Sequence, residues 1–161
     1  MLKIVLFITL SWAAFYTTTV TACSCRYGGE FKEYASKRGG VIRAKITSYG
    51  PKLSHGKTLY ESMVVEITDV IKGNYSVKSL TLLGDPGHLC RAYVNSERFA
   101  IGTEHFFSVN TQESSVQPLG GCGESSVVIK GEFVEGIKRT NDGYQSYTLK
   151  IPDLIKSIQS Q

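Results

Sequence analysis

The sequence predicts an all-β fold with a short helix at each end: a small antiparallel barrel, five-stranded with extra C-terminal elements, or a sandwich. Three observations predict it. Runs rich in Val, Ile, Thr and aromatic residues recur between residues 41 and 151. Clusters of Gly, Pro, Asn and Asp separate those runs at short intervals. Beyond an apolar leader, helical spacing of apolar residues occurs only before the first run and after the last.

Residues 1–22 read as a secretory leader. Lys3 supplies the positive start and "IVLFITLSWAAF" the apolar centre, with Val20 and Ala22 as the small residues before cleavage after Ala22. A run of about a dozen apolar residues is short of the roughly 20 that a spanning helix needs. Removing 22 of the 161 residues leaves 139, enough for one domain, 23–161, and too few for two. The expected location is secreted or extracytoplasmic, meaning periplasm or envelope for a bacterial host.

"GEFKEYASK", residues 29–37, places Phe31, Tyr34 and Ala35 on one side of a helix that "RGG" ends. "VIRAKITSYG" alternates, with Ile42, Ala44 and Ile46 on one face and Arg43 and Lys45 on the other. "LYESMVVEITDVIKG", 59–73, reads as one long strand and "VKSLTLLGD" as the next. "PGHLCRAYVNSE" is irregular, and "RFAIGTEHFFSVN" is a strand that Gly102 bends or breaks. "SSVQPLGGCGESS" reads as a loop, followed by the strand-like "VVIKGEFVEGI", the turn "KRTNDG" and the strand-like "YQSYTLKI". Pro152 and Asp153 open a terminal helix with Leu154, Ile155 and Ile158 inward.

All four cysteines, Cys23, Cys25, Cys90 and Cys122, follow the leader, and an even number in an oxidising compartment favours two disulfides. A bridge between Cys23 and Cys25 closes a strained ring, so the bridges run from that pair to Cys90 and Cys122, in either of two pairings. Each closes a loop of roughly 70 to 100 residues, for which chain entropy gives about 4 to 5 kcal/mol. The net charge of +4, reduced by loss of Lys3, is too weak and scattered for nucleic acid. It allows weak contact with an acidic polysaccharide.

"VTAC", residues 20–23, also fits the lipobox of bacterial lipoproteins, in which the cysteine is acylated and becomes the first residue. One function open to the chain is then that of an exported binding or envelope module, held at the membrane by lipid on Cys23. Acylation leaves Cys90 as an odd thiol in an oxidising space, which favours the unlipidated form. His55, His88 and His105 lie on separate segments without carboxylates at ligand spacing, so no metal or cofactor of the chain's own is implied. His88 near Cys90 suggests a thiol nucleophile less readily than a bridge, and "GCGESS" lacks the Gly-x-Ser-x-Gly spacing. Glu61, Glu66 and Asp69 sit on an alternating strand and read as solvated. Tyr49, Tyr60, Tyr75 and Tyr93 are spread along the chain, so most belong to core or rim packing. The chain is read as a protein without catalytic activity.

"CSC" at the predicted mature start, then "VIRAKI", "LYE" with "EITDVIKG", "GHLCR", "FAIG" and "GCGE", resembles the N-terminal domain of the tissue inhibitors of metalloproteinases. That domain is a branch of the netrin-like modules. Cysteines 67 residues after Cys23 and 97 after Cys25 carry the likeness, which covers about residues 23–125. It implies an OB-like five-stranded barrel, with 126–161 as a divergent hairpin and helix, and the pairings Cys23 with Cys90 and Cys25 with Cys122. It further implies a zinc metalloprotease as partner, its zinc chelated by the α-amine and carbonyl of Cys23. A catalytic zinc keeps an open position for water or substrate, which such a pair can fill. Ser24 would enter the specificity pocket, Cys25, Arg26 and Tyr27 would continue the ridge, and His88 and Leu89 would form the adjacent contact strip. The family's further N-terminal disulfide and its cysteine-rich C-terminal domain have no counterpart here.

Overall fold

The computed structural model describes residues 26–54, 56–110 and 114–160. Helix α1 (Phe31–Ser36) precedes β1 (Gly40–Tyr49), β2 (Leu59–Tyr60), β3 (Ser62–Lys72), β4 (Ser79–Leu83) and β5 (Val94–Asn95). Strands β6 (Glu104–Val109), β7 (Val116–Pro118), β8 (Ser126–Lys130), β9 (Phe133–Thr140) and β10 (Gly143–Lys150) follow, and α2 (Ile151–Gln159) ends the chain. Eight strands form one sheet in the order β10-β9-β8-β6-β1-β3-β4-β7, while β2 and β5 make a separate ribbon. Neighbours are antiparallel except β4 and β7, which run parallel.

The alternation read in β1 sorts the core into two clusters. Ile42, Ala44 and Ile46 join Met63, Val65 and Phe107 on one face. Val41, one residue out of phase, joins Phe31, Phe106, Leu154 and Ile158 on the other. Successive strand side chains point to opposite faces, so Phe106 and Phe107 enter different clusters. The helices cover the second face. Each brings a narrow apolar stripe, Phe31 with Ala35 and Leu154 with Ile158, and full burial of such a side chain contributes about 2 kcal/mol. Ile155, expected inward, is only partly buried at the edge of that cluster.

Several elements differ from the sequence reading. The expected long strand 59–73 is divided at Glu61, where the chain leaves the β2–β5 ribbon and enters the main sheet. The run 98–110 keeps only its second half as β6, because Gly102, at φ +89, closes a turn in which the Thr103 amide donates to the Ala100 carbonyl. The loop 114–126 contains β7, whose Gln117 is buried, and the irregular segment contains β5. The run 127–137 is a hairpin turning at Gly131, and the next turn is confined to residues 141–142. Glu61, Glu66 and Asp69 are exposed.

The expected five-stranded closed barrel is not found: the sheet has eight strands, and among the described residues no pairing joins its edges, β7 and β10. The all-β class with two short helices stands. Three register irregularities between β1 and β3 bend the sheet's centre without closing it. Among the described residues no helix is long and apolar enough to cross a membrane.

Candidate functional site

Two loops and the segment entering α1 meet at one end of the sheet. The segment lies on the 120–124 loop: the Gly28 amide donates to the Cys122 carbonyl, and the Glu124 amide donates to the Gly29 carbonyl at 3.2 Å. Glu30, the residue before α1, makes no capping bond with its side chain. Glu124 fills that role from the other loop, its Oε2 accepting from the Phe31 amide at 3.2 Å and from the Tyr147 hydroxyl at 2.6 Å. Its Oε1 accepts from the Ile137 amide. Burial pushes the Glu124 carboxyl up, only partly countered by these donors and by Arg98. One buried side chain thus ties the N-terminal segment, the cysteine loop and the β9–β10 hairpin together.

The second loop is organised by Asp85, which is only 5% exposed. Its Oδ1 accepts from the amides of Gly87, His88 and Leu89 at 2.6, 2.8 and 3.0 Å, and its Oδ2 from that of Arg91 at 3.0 Å. Burial alone would raise its pKa, but four N–H donors aimed at the charged form lower it below the ordinary carboxylate range. The result is a tight tip on which Gly87, His88, Leu89 and Cys90 are exposed. Cys90 takes φ 55, the left-handed region that costs a non-glycine residue about 1 kcal/mol. Gly121 lets the loops abut: a Cβ there would stand 2.4 Å from the Cys90 carbonyl oxygen.

Between the loops lies a pocket of about 450 Å³, lined among others by Arg26, Leu89, Cys90 and Cys122. The structure therefore gathers four of the residues singled out from the sequence. His88 is exposed on the same tip but does not line the pocket. Tyr27 lies next to Arg26 and opens on a neighbouring concavity, its hydroxyl 3.5 Å from the Ile137 carbonyl. Neither Cys90 nor Cys122 is a free thiol. Cys23, Ser24 and Cys25, on which the expected chemistry depends, lie outside the described residues, as does His55.

His105 is no part of this end. It is 1% exposed and stacks with Phe107 at 5.4 Å between ring centroids. Thr103 has one hydroxyl hydrogen, and its 2.7 Å contact to the Ala100 carbonyl takes it. Thr103 Oγ1 then accepts from His105 Nε2 at 3.1 Å, leaving Nδ1 buried and without a hydrogen-bond partner among the described residues. Protonation would bury an unpaired cation, so desolvation, reinforced by Arg98, lowers its pKa to about 4.

Of the four tyrosines, most of which read as core or rim packing, Tyr49 and Tyr60 stack at 4.2 Å, and Tyr75 donates its hydroxyl to the Asn110 carbonyl. Tyr93 is 48% exposed. Asp85 and Glu124 were missed by the sequence reading. For Asp85 a signal existed in "GDPGH", since Asp before Pro-Gly is a turn former whose carboxylate accepts from amides just beyond. For Glu124 there was none, because its partners are Phe31, Ile137 and Tyr147 on three other segments. No family model, no characterised protein and no solved structure matches the chain.

Proposed function

We propose that the protein is an exported inhibitor of zinc metalloproteases, in which Cys23, freed by leader cleavage, offers its α-amine and carbonyl to the zinc of a target enzyme. The observation that carries the reading is the convergence of Arg26, Leu89, Cys90 and Cys122 on one pocket immediately after Cys-Ser-Cys. Bridges from Cys23 to Cys90 and from Cys25 to Cys122 would fasten the start of the chain to loops that Asp85 and Glu124 already hold. A segment so held loses little further entropy on docking. The chelating groups belong to the backbone of Cys23, since its sulfur is spent in the bridge. An OB-like, netrin-like identity for the sheet belongs to the same proposal, supported by the bending irregularities of β1 and by the cysteine spacings.

The test is a single added residue before Cys23. It should abolish inhibition of a sensitive metalloprotease while the unfolding midpoint stays unchanged, because an extra peptide bond removes the free amine. An extended protein that still inhibits overturns the mechanism. The intact mass of the exported chain is read beforehand: acyl chains on Cys23 would make "VTAC" an anchor and the inhibitor reading untenable.

A further inference from the structure

Seven large hydrophobic side chains are well exposed among the described residues, and four of them share one face. Leu89 lines the pocket between the cysteine loops. Tyr93, Ile137 and Tyr144 line a second concavity of about 660 Å³, which Tyr27 also borders and Glu124 helps to line. Arg91 and Gly121 line both, so the two adjoin as one groove-like face from the cysteine loops to the β9–β10 hairpin.

The groove is strongly basic. Arg26, Lys37, Arg38 and Arg91 border its first part, and Arg98 joins Arg91 in the second. The two ion pairs among the described residues are Arg43 with Glu104 and Lys130 with Glu135, so they involve none of these five cations. Arg38 donates to the neutral oxygens of Asn110 and Tyr34, Lys37 to the Gly28 carbonyl, and Arg98 to Ser126. Among the described lining residues Glu124 is the only carboxylate; it is buried, already holds three donors and offsets part of the Arg98 charge. Glu30 and Glu33 act on Tyr27 from the side of α1, outside the lining.

We infer that this groove is a second contact surface, taking an acidic, extended segment of the target protein beside the zinc-directed N-terminus. The inference rests on the inhibitor reading for the identity of that target. Tyrosine and arginine bury large areas for few frozen rotamers, and arginine forks match carboxylates. An excess of positive charge also speeds the encounter with an acidic partner, an effect that salt suppresses. A polypeptide is favoured over a polysaccharide or nucleic acid because apolar Leu89 and Ile137 are presented together with the cations.

The test uses the chain beginning at Cys23 and two variants, Arg91→Glu and Tyr144→Ala. Tyr144 is 74% exposed, so its truncation leaves the fold intact. The probe is a short synthetic peptide rich in Asp, Glu and Tyr, titrated at low and high salt beside a counterpart with Lys in place of the acids, heparin, and single-stranded DNA. The acidic peptide should bind, with affinity falling about tenfold in each variant and falling with salt. Absence of binding, equal binding by the Lys peptide, binding by the two variants as tight as by the unaltered chain, or tighter binding of heparin or DNA at the same residues overturns the inference. A metalloprotease assay separates the two readings. If Arg91→Glu leaves the association rate and its salt dependence unchanged in a protein that inhibits, the groove contact falls and the zinc chelation stands. If the acidic peptide binds as expected but no protease is inhibited, the groove stands as an acidic-segment site and the zinc chelation falls.

Discussion

Single buried polar residues decide how this protein responds to acid. Asp85 has a lowered pKa, so its stabilisation is complete above the ordinary carboxylate range and is lost as pH falls through the folded value. Asp85→Asn should cost about 2 kcal/mol at neutral pH and flatten the acid limb of a urea-unfolding series, because hydrogen bonds to a charged acceptor are lost. His105 acts in a different window. Its folded pKa of about 4 lies below the ordinary 6.5, so the unfolded chain binds the extra proton, and stability declines as pH falls from 6.5 to about 4. The decline amounts to about 3 kcal/mol. His105→Phe, flanked by Phe99 and Phe107, should remove that decline, measured in the same series. A variant whose stability still falls over that window would mean that another group titrates there. Glu124 works against both: its raised pKa makes its carboxyl costlier to ionise in the fold than in the open chain.

Among the elements, the helices matter more than their length suggests. The second face of the sheet has no second sheet to cover it. Phe106, Val127 and Val134 are buried there because α1 and α2 lie over them. Leu154, 1% exposed, should therefore cost about 3 kcal/mol when cut to Ala, whereas Ile155→Ala at the margin should cost under about 1.5 kcal/mol. Equal losses for the two in denaturant unfolding would contradict the packing described. Both helices were legible in the sequence because an apolar stripe at a spacing of three and four residues is a local signal. So was the break at Gly102, where φ is positive, whereas the turn at Gly131 falls inside a run that reads as one strand. The break at Glu61 and the strand β7 were not legible. Glu61 sits in a run as β-prone as its neighbours, and the two residues before it pair with Val94 and Asn95 far along the chain. Val116–Pro118 is a strand only because β4 lies parallel to it.

For the whole molecule, the cysteines and the two anchoring carboxylates act on the same end. If the proposed bridges are present, gentle reduction should lower the unfolding free energy by up to about 4 kcal/mol per bridge and end inhibition. The N-terminal segment would then be held by hydrogen bonds, among them those to Cys122 and Glu124. Unchanged stability and inhibition after reduction would exclude the bridges. The sequence by itself determined the β class, the two short helices, the alternation that sorts the core, and the residues that flank the cysteines. Each is a local pattern, set by periodicity, side-chain branching or backbone freedom. Only the tertiary structure decided that eight strands form one sheet with no pairing between its edges among the described residues, that Glu124 ties the cysteine loop to the N-terminal segment, and that exposed tyrosines and basic side chains share one face. Those features depend on pairings between distant segments, and no short stretch of chain encodes which distant amide a buried carboxylate will accept from.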